Sequence, residues 1–234
     1  MKKFFILFTS FFTLLAFDAM AQSDSLFTVN PGETISQVIP KTAQWFSKNF
    51  IKGQAWFNDG RTGTVTLNYN WFYDEMMFIN EKGDTLAFAN PQDFKQFALG
   101  EDTFYFADNK YFQKVGAFGN LQLTEKPILG IADIKKIGAM GIETSTVATD
   151  ELGQLPQINT GETKNLVLRD KTIIRKATQY YISNKYNTPK PATKKNIQKT
   201  ATENEWTQLQ KYLNANTVNF SKKEDLVGLL STLQ

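Results

Sequence analysis

The chain has 234 residues, 41% of them hydrophobic and 21% charged, with 26 basic side chains against 23 acidic ones and a formal net charge of +3. It holds neither cysteine nor histidine, which excludes disulfides, thiolate and imidazole metal sites, a Cys-His pair and a Ser-His-Asp triad, because each needs a side chain this chain lacks. The length allows one domain or two small ones and is ample for a buried core.

Lys2 and Lys3 give a basic start, an apolar run follows from Phe4 to Phe17, and Ala19-Met20-Ala21 places small residues at both positions a signal peptidase reads. That is the three-part layout of a secretory signal peptide over residues 1–21. The run is shorter than the ~20 apolar residues of a spanning helix, and no cysteine stands at the junction to carry a lipid. The expectation is an exported chain starting at Gln22, periplasmic rather than released, not membrane-spanning after processing, and stabilised by packing instead of cross-links.

A β-rich domain is expected over residues 22–184. It begins with a polar leader from Ser23 to about Lys41, and from about Phe50 to Leu123 the pattern is that of strands. In Gly63 to Tyr69, Val65, Leu67 and Tyr69 alternate with Thr64, Thr66 and Asn68, which predicts one buried and one wet face. Met76–Ile79, Thr85–Ala89, Thr103–Ala107 and Tyr111–Val115 are further candidates, separated by the turn clusters Asn58-Asp59-Gly60, Glu81-Lys82-Gly83-Asp84 and Asp108-Asn109. Short strands spaced in this way predict a meander, with Gly83 at positive φ in a hairpin turn. Residues 138–162 read as a long mobile loop, and strand character returns at Lys164–Ile174 and Gln179–Ser183.

Residues 185–234 are expected to form a basic linker and a two-helix element. Lys185, Lys190, Lys194, Lys195 and Lys199 stand in a stretch without an acid, which reads as a solvated face, with peripheral contact to an anionic surface as the functional alternative. Lysine without arginine argues against nucleic acid. Two capping boxes announce the helices: Thr202 with Glu205 ahead of Trp206, Leu209 and Leu213, and Ser221 with Glu224 ahead of Leu226, Leu229, Leu230 and Leu233. The fold class predicted is α+β, a mostly antiparallel β-meander with two C-terminal helices packed on it.

The run Asn68-Tyr69-Asn70, Glu75-Met76-Met77-Phe78-Ile79, Lys82-Gly83-Asp84-Thr85-Leu86-Ala87 and Ala89-Asn90-Pro91 resembles the pattern of an uncharacterised family of exported Bacteroidota proteins. Asn165-Leu166-Val167-Leu168-Arg169, Tyr180-Tyr181-Ile182, Lys222-Glu224-Asp225-Leu226 and the Ala21-Gln22 junction are similar to it as well. The resemblance implies an envelope address and a shared fold. It brings no activity, substrate or cofactor. Asp24-Ser25-Leu26 and Asp84-Thr85-Leu86 look like acceptor sites for O-linked glycans in such envelopes.

Carboxylates are the remaining acid–base groups near neutral pH. Asp74 and Glu75 adjoin the aromatic run Trp71-Phe72-Tyr73, so a glycan hydrolase would use Asp74 or Glu75 with Trp71 as the sugar platform. Against it, neighbouring strand residues point to opposite faces, so the pair would not meet one ligand. Glu81 to Thr85 lacks the alternating oxygens of a calcium loop, and no metal or other cofactor is expected. The phenylalanines most simply fill a core, the alternative being an apolar cavity for a lipid or peptide. The leading expectation is a non-catalytic exported protein with a binding or structural role toward an envelope component.

Overall fold

The computed structural model describes residues 25–138, 142–145, 164–185 and 188–233. Strand β1 (Ser25–Val29) and a short helix α1 (Ile35–Val38) come first. Two meanders follow: β2 (Ile51–Phe57), β3 (Thr62–Asn70), β4 (Glu75–Ile79) and β5 (Thr85–Ala87), then β6 (Phe94–Leu99), β7 (Asp102–Ala107), β8 (Lys110–Phe118) and β9 (Leu121–Ile137). Strands β10 (Glu143–Ser145), β11 (Lys171–Asn184) and β12 (Lys190–Pro191) precede helices α2 (Lys194–Thr200), α3 (Glu203–Ala215) and α4 (Lys223–Leu230).

Among the described residues all twelve strands belong to one sheet, ordered β1-β11-β9-β8-β7-β6-β2-β3-β4-β5, with β10 beside β9 and β12 beside β11. Within each meander sequential strands pair antiparallel, and β2 also pairs with β6 to join the two meanders. Local chemistry sets the corners. Asp108 and Asn109 have φ of 50° and 55° between the paired Ala107 and Lys110, the two-residue turn whose backbone twist suits a hairpin. Gly83 has φ 88°, and Asn80 Oδ1 accepts from the amides of Lys82 (2.9 Å) and Asp84 (2.8 Å).

Two apolar clusters hold the sheet. In the first, Leu67, Tyr69, Met76, Phe97 and Phe104 meet Val29, Leu129 and Ile174, so strands distant in the sheet order share one interior. In the second, Leu209, Leu226, Leu229 and Leu230 of the terminal helices cover Phe118, Leu121, Leu123 and Ile182, each burial contributing about 1.5–3 kcal/mol before entropy. The Thr202–Glu205 capping box forms as predicted: Thr202 N donates to Glu205 Oε2 (2.8 Å) and Glu205 N to Thr202 Oγ1 (3.4 Å). The other oxygen of Glu205 accepts from Asn120 N at 2.7 Å, tying α3 to the β8–β9 turn.

Several local expectations are corrected. The polar leader is β1 and α1, with Val29, Ile35 and Ile39 buried. Asn68 does not face water: its amide group donates to the carbonyls of Ser47 and Asn49 and its oxygen accepts from Ser47 N, because the chain before β2 covers that face. Strand character does not begin at Lys164; Leu168 instead exchanges backbone bonds with Gly32 and Glu33, and β11 runs unbroken for 14 residues from Lys171. The 17-residue β9 passes far beyond Leu123 because β11 pairs with it along that length.

The second capping box is absent. Lys222 is the N-cap of α4 without a side-chain bond, and Asp225 accepts from Asn219 N instead. The basic linker is structured: β12 pairs with β11, and α2, capped by Thr193, buries Ile197 and Thr200. Lys185, Lys190, Lys194, Lys195 and Lys199 are all exposed. Of the expected long loop, Glu143–Ser145 pairs with β9, while residues 139–141 and 146–162 lie outside the described residues, as do residues 1–21, where a signal peptide is expected. Asp84, Thr85 and Leu86 are exposed, and Asp24 is outside the described residues. No helix among the described residues is long and apolar enough to cross a membrane.

Candidate functional site

The site grows from a fork in the sheet. Strands β8 and β9 pair only as far as Gln113 opposite Glu125. Beyond that pair β8 continues toward the β7 hairpin while β9 goes on with β11. Pro127 stands just past the divergence, where an edge tolerates a missing N–H. The gap is filled by the four-residue connection Trp71–Asp74 between β3 and β4.

Asn70 shapes that connection, its Oδ1 accepting from the amides of Phe72 and Tyr73 at 3.1 Å each. Trp71 and Phe72 turn inward, 4% and 0% exposed, while Tyr73 is 43% exposed. Asp74 closes the loop at φ 61°, the left-handed region that aspartate tolerates better than bulkier residues. Its Oδ1 accepts from the Tyr69 hydroxyl (2.7 Å) and from Tyr111 N (3.2 Å), an amide on β8 beyond the last β8–β9 pair. Its Oδ2 forms an ion pair with Lys126 of β9. Lys164 donates to the Phe72 carbonyl and lies 4.7 Å from the Phe72 ring centroid.

A cleft of about 200 Å³ opens here, with Trp71, Tyr73, Asp74, Lys110, Lys126 and Lys164 in its wall. Among the described residues of the lining, three ammonium groups face one carboxylate. Burial holds Lys126 below its usual range against the pull of Asp74, and the charge of Lys110 adds to the depression. Lys164 is lowered to about 8, first by burial and further by the charge of Lys126, with Asp74 opposing. Burial raises the Tyr69 and Tyr111 hydroxyls, and the Asp74 charge raises both further.

The residues singled out by sequence separate here. Asp74 lines the cleft, but both of its oxygens are engaged. Glu75 is exposed at the start of β4 and outside the lining. Strand alternation is not what divides them, since Asp74 lies in the loop. Trp71 reaches the cleft wall, yet its indole N–H donates to the Ala43 carbonyl (2.9 Å), Lys176 sits 4.1 Å from its ring centroid and the residue is only 4% exposed, so it offers no open platform for a sugar. Tyr73 is the open aromatic.

Lys110, Lys126 and Lys164 were not singled out by sequence. A lysine in a strand reads as solvent-facing, and nothing local announces that β9 loses one neighbour at Glu125. No group of three or more carboxylates able to hold a metal occurs among the described residues. A separate hollow of about 200 Å³ is lined by Ile35, Ile131, Ile134, Leu168 and Ile174 among others, smaller than the ~300–1,000 Å³ of pockets for drug-sized ligands. Comparison with family models, curated proteins and solved structures finds no match for this chain.

Proposed function

We propose that this is an exported, non-catalytic binding protein of the cell envelope, akin to the Bacteroidota family it resembles, and that it binds through the cleft at the β8–β9 fork. The observation that carries the reading is the state of Asp74. It is the sole carboxylate in the cleft lining among the described residues, and it already serves Tyr69, Tyr111 and Lys126. A glycan hydrolase needs a second carboxylate roughly 5–10 Å away, and Glu75 does not supply it. A lysine-rich cleft with one committed acid suits holding a ligand better than proton transfer. The address rests on the basic start, apolar run and Ala19-Met20-Ala21 junction.

Two measurements test this. Cell fractionation with N-terminal sequencing of the native protein is expected to find it in the envelope fraction beginning at Gln22; a cytoplasmic protein retaining Met1 would refute the address. Molecules that co-purify from the host are expected to bind again, unaltered, to cleaned protein and to shift amide resonances of residues 71–74, 109–111, 126, 128 and 129. Turnover of such a molecule would refute the non-catalytic reading, and shifts elsewhere would refute the site.

A further inference from the structure

We infer that the cleft recognises a single sugar ring bearing an oxyanion, such as a uronate carboxylate or a sulfate ester. This rests on the cleft being the binding site. Charge is the first ground. Among the described residues of the lining, Lys110, Lys126 and Lys164 face Asp74 alone, leaving two positive charges without a counter-charge among them. The ammonium groups act against one another, Lys110 on Lys126 and Lys126 on Lys164. A bound anion relieves that repulsion in a recess where water screens poorly.

The roles of the three differ. The Lys126 ammonium is covered, 8% of the residue being exposed, and the ion pair with Asp74 engages it. Lys164 is 6% exposed and bonded to Phe72 O. Both set the potential of the wall. Lys110 is half-buried beside the β7–β8 turn and, among the described lysines of the lining, is the one with neither an ion pair nor a side-chain hydrogen bond, so it is placed to reach an incoming oxygen. Lysine is a compact point charge, not a planar fork, so the site favours an oxyanion without demanding bidentate geometry.

The second ground is Tyr73. Its ring stands edge-on to Phe72, centroids 4.9 Å apart at 88°, which fixes its orientation at the mouth of the cleft while leaving it exposed. An oriented, open tyrosine gives the apolar face of a sugar ring a surface to stack on. Size is the third. About 200 Å³ lies below the usual range for drug-sized ligands, which fits one ring and not a buried oligomer.

The test is NMR titration of the isotope-labelled protein with galacturonate, a monosulfated glucose, unmodified glucose and inorganic sulfate. The two charged sugars are expected to shift resonances of residues 71–74 and 109–111. Their affinity is expected to fall about fivefold or more between 20 and 200 mM salt. K110E and Y73A, both on partly exposed side chains, are each expected to weaken binding about fivefold while the rest of the spectrum stays unchanged. Glucose binding as well as galacturonate would overturn the anion requirement, yet leave the cleft as the site. Inorganic sulfate matching the sulfated sugar, with no effect of Y73A, would overturn the sugar. Silence of the cleft toward both charged sugars would overturn the inference, and a co-purified ligand of another class shifting the same resonances would show the binding reading standing without it.

Discussion

Replacing Lys126 by methionine separates a structural ion pair from an incidental one. The side chains of Lys126 and Asp74 are 10% and 22% exposed. Removing one partner of a fully buried pair destabilises by about 3–5 kcal/mol, because the other charge stays buried without compensation. Asp74 keeps some water and two hydrogen-bond donors, so about 2–3 kcal/mol is expected for K126M. In a domain of this size that lowers Tm by roughly 4–12 °C. D74A should cost more, about 3–5 kcal/mol, since it strands the Lys126 charge, the Tyr69 hydroxyl and the Tyr111 amide together. The assay is urea and thermal unfolding of both single variants and of D74A/K126M. The double variant should recover part of the loss, giving a coupling of about 1–3 kcal/mol. A K126M cost below about 1 kcal/mol, the range of surface pairs, or strictly additive effects, would refute the reading of this pair as a structural one.

Three further outcomes are expected. Burial pushes the Glu205 carboxyl up, but bonds from Thr202 and Asn120 outweigh it and hold the group below its ordinary 4.5; its stabilisation is therefore present above about pH 4.5 and lost as pH falls below it, so E205Q should show a shallower loss of stability in acid unfolding curves. Gly119 has φ 56°, and a Cβ there would stand 2.7 Å from Glu205 Oε1, whereas a Cβ at Gly63 meets nothing within 4 Å; G119A should destabilise by about 1–3 kcal/mol and G63A change stability by less than about 0.5, read by chemical denaturation. Lys164 is lowered to about 8 from 10.5, so the unfolded chain binds its proton more tightly and this group makes stability rise from about pH 8 toward 10.5; K164M should remove that rise in Tm measured against pH.

What could be seen in advance was decided within a few residues of itself. The Thr202–Glu205 box, the positive φ of Gly83, the hairpin turn at Asp108-Asn109 and the burial of Leu67 and Tyr69 on one strand face each follow from side-chain chemistry or strand period acting locally. Even there the reach was short: Ser221 and Glu224 carry the same spacing as Thr202 and Glu205, yet Asn219 and Asp225 made the competing bond.

Ser25–Val29 became a strand because it meets Lys176 to Thr172 from the far end of the chain, and β9 outran its own apolar pattern because β11 lay beside it. The cleft belongs to the same class. Composition alone established which catalytic groups are missing, and the hydrophobic periods established a sheet with helices on it. Which lysines would be buried, which aromatic would stay open and whether Asp74 would be free depended on where two strands part company. That divergence arises from pairings between distant segments, which no local window of residues encodes.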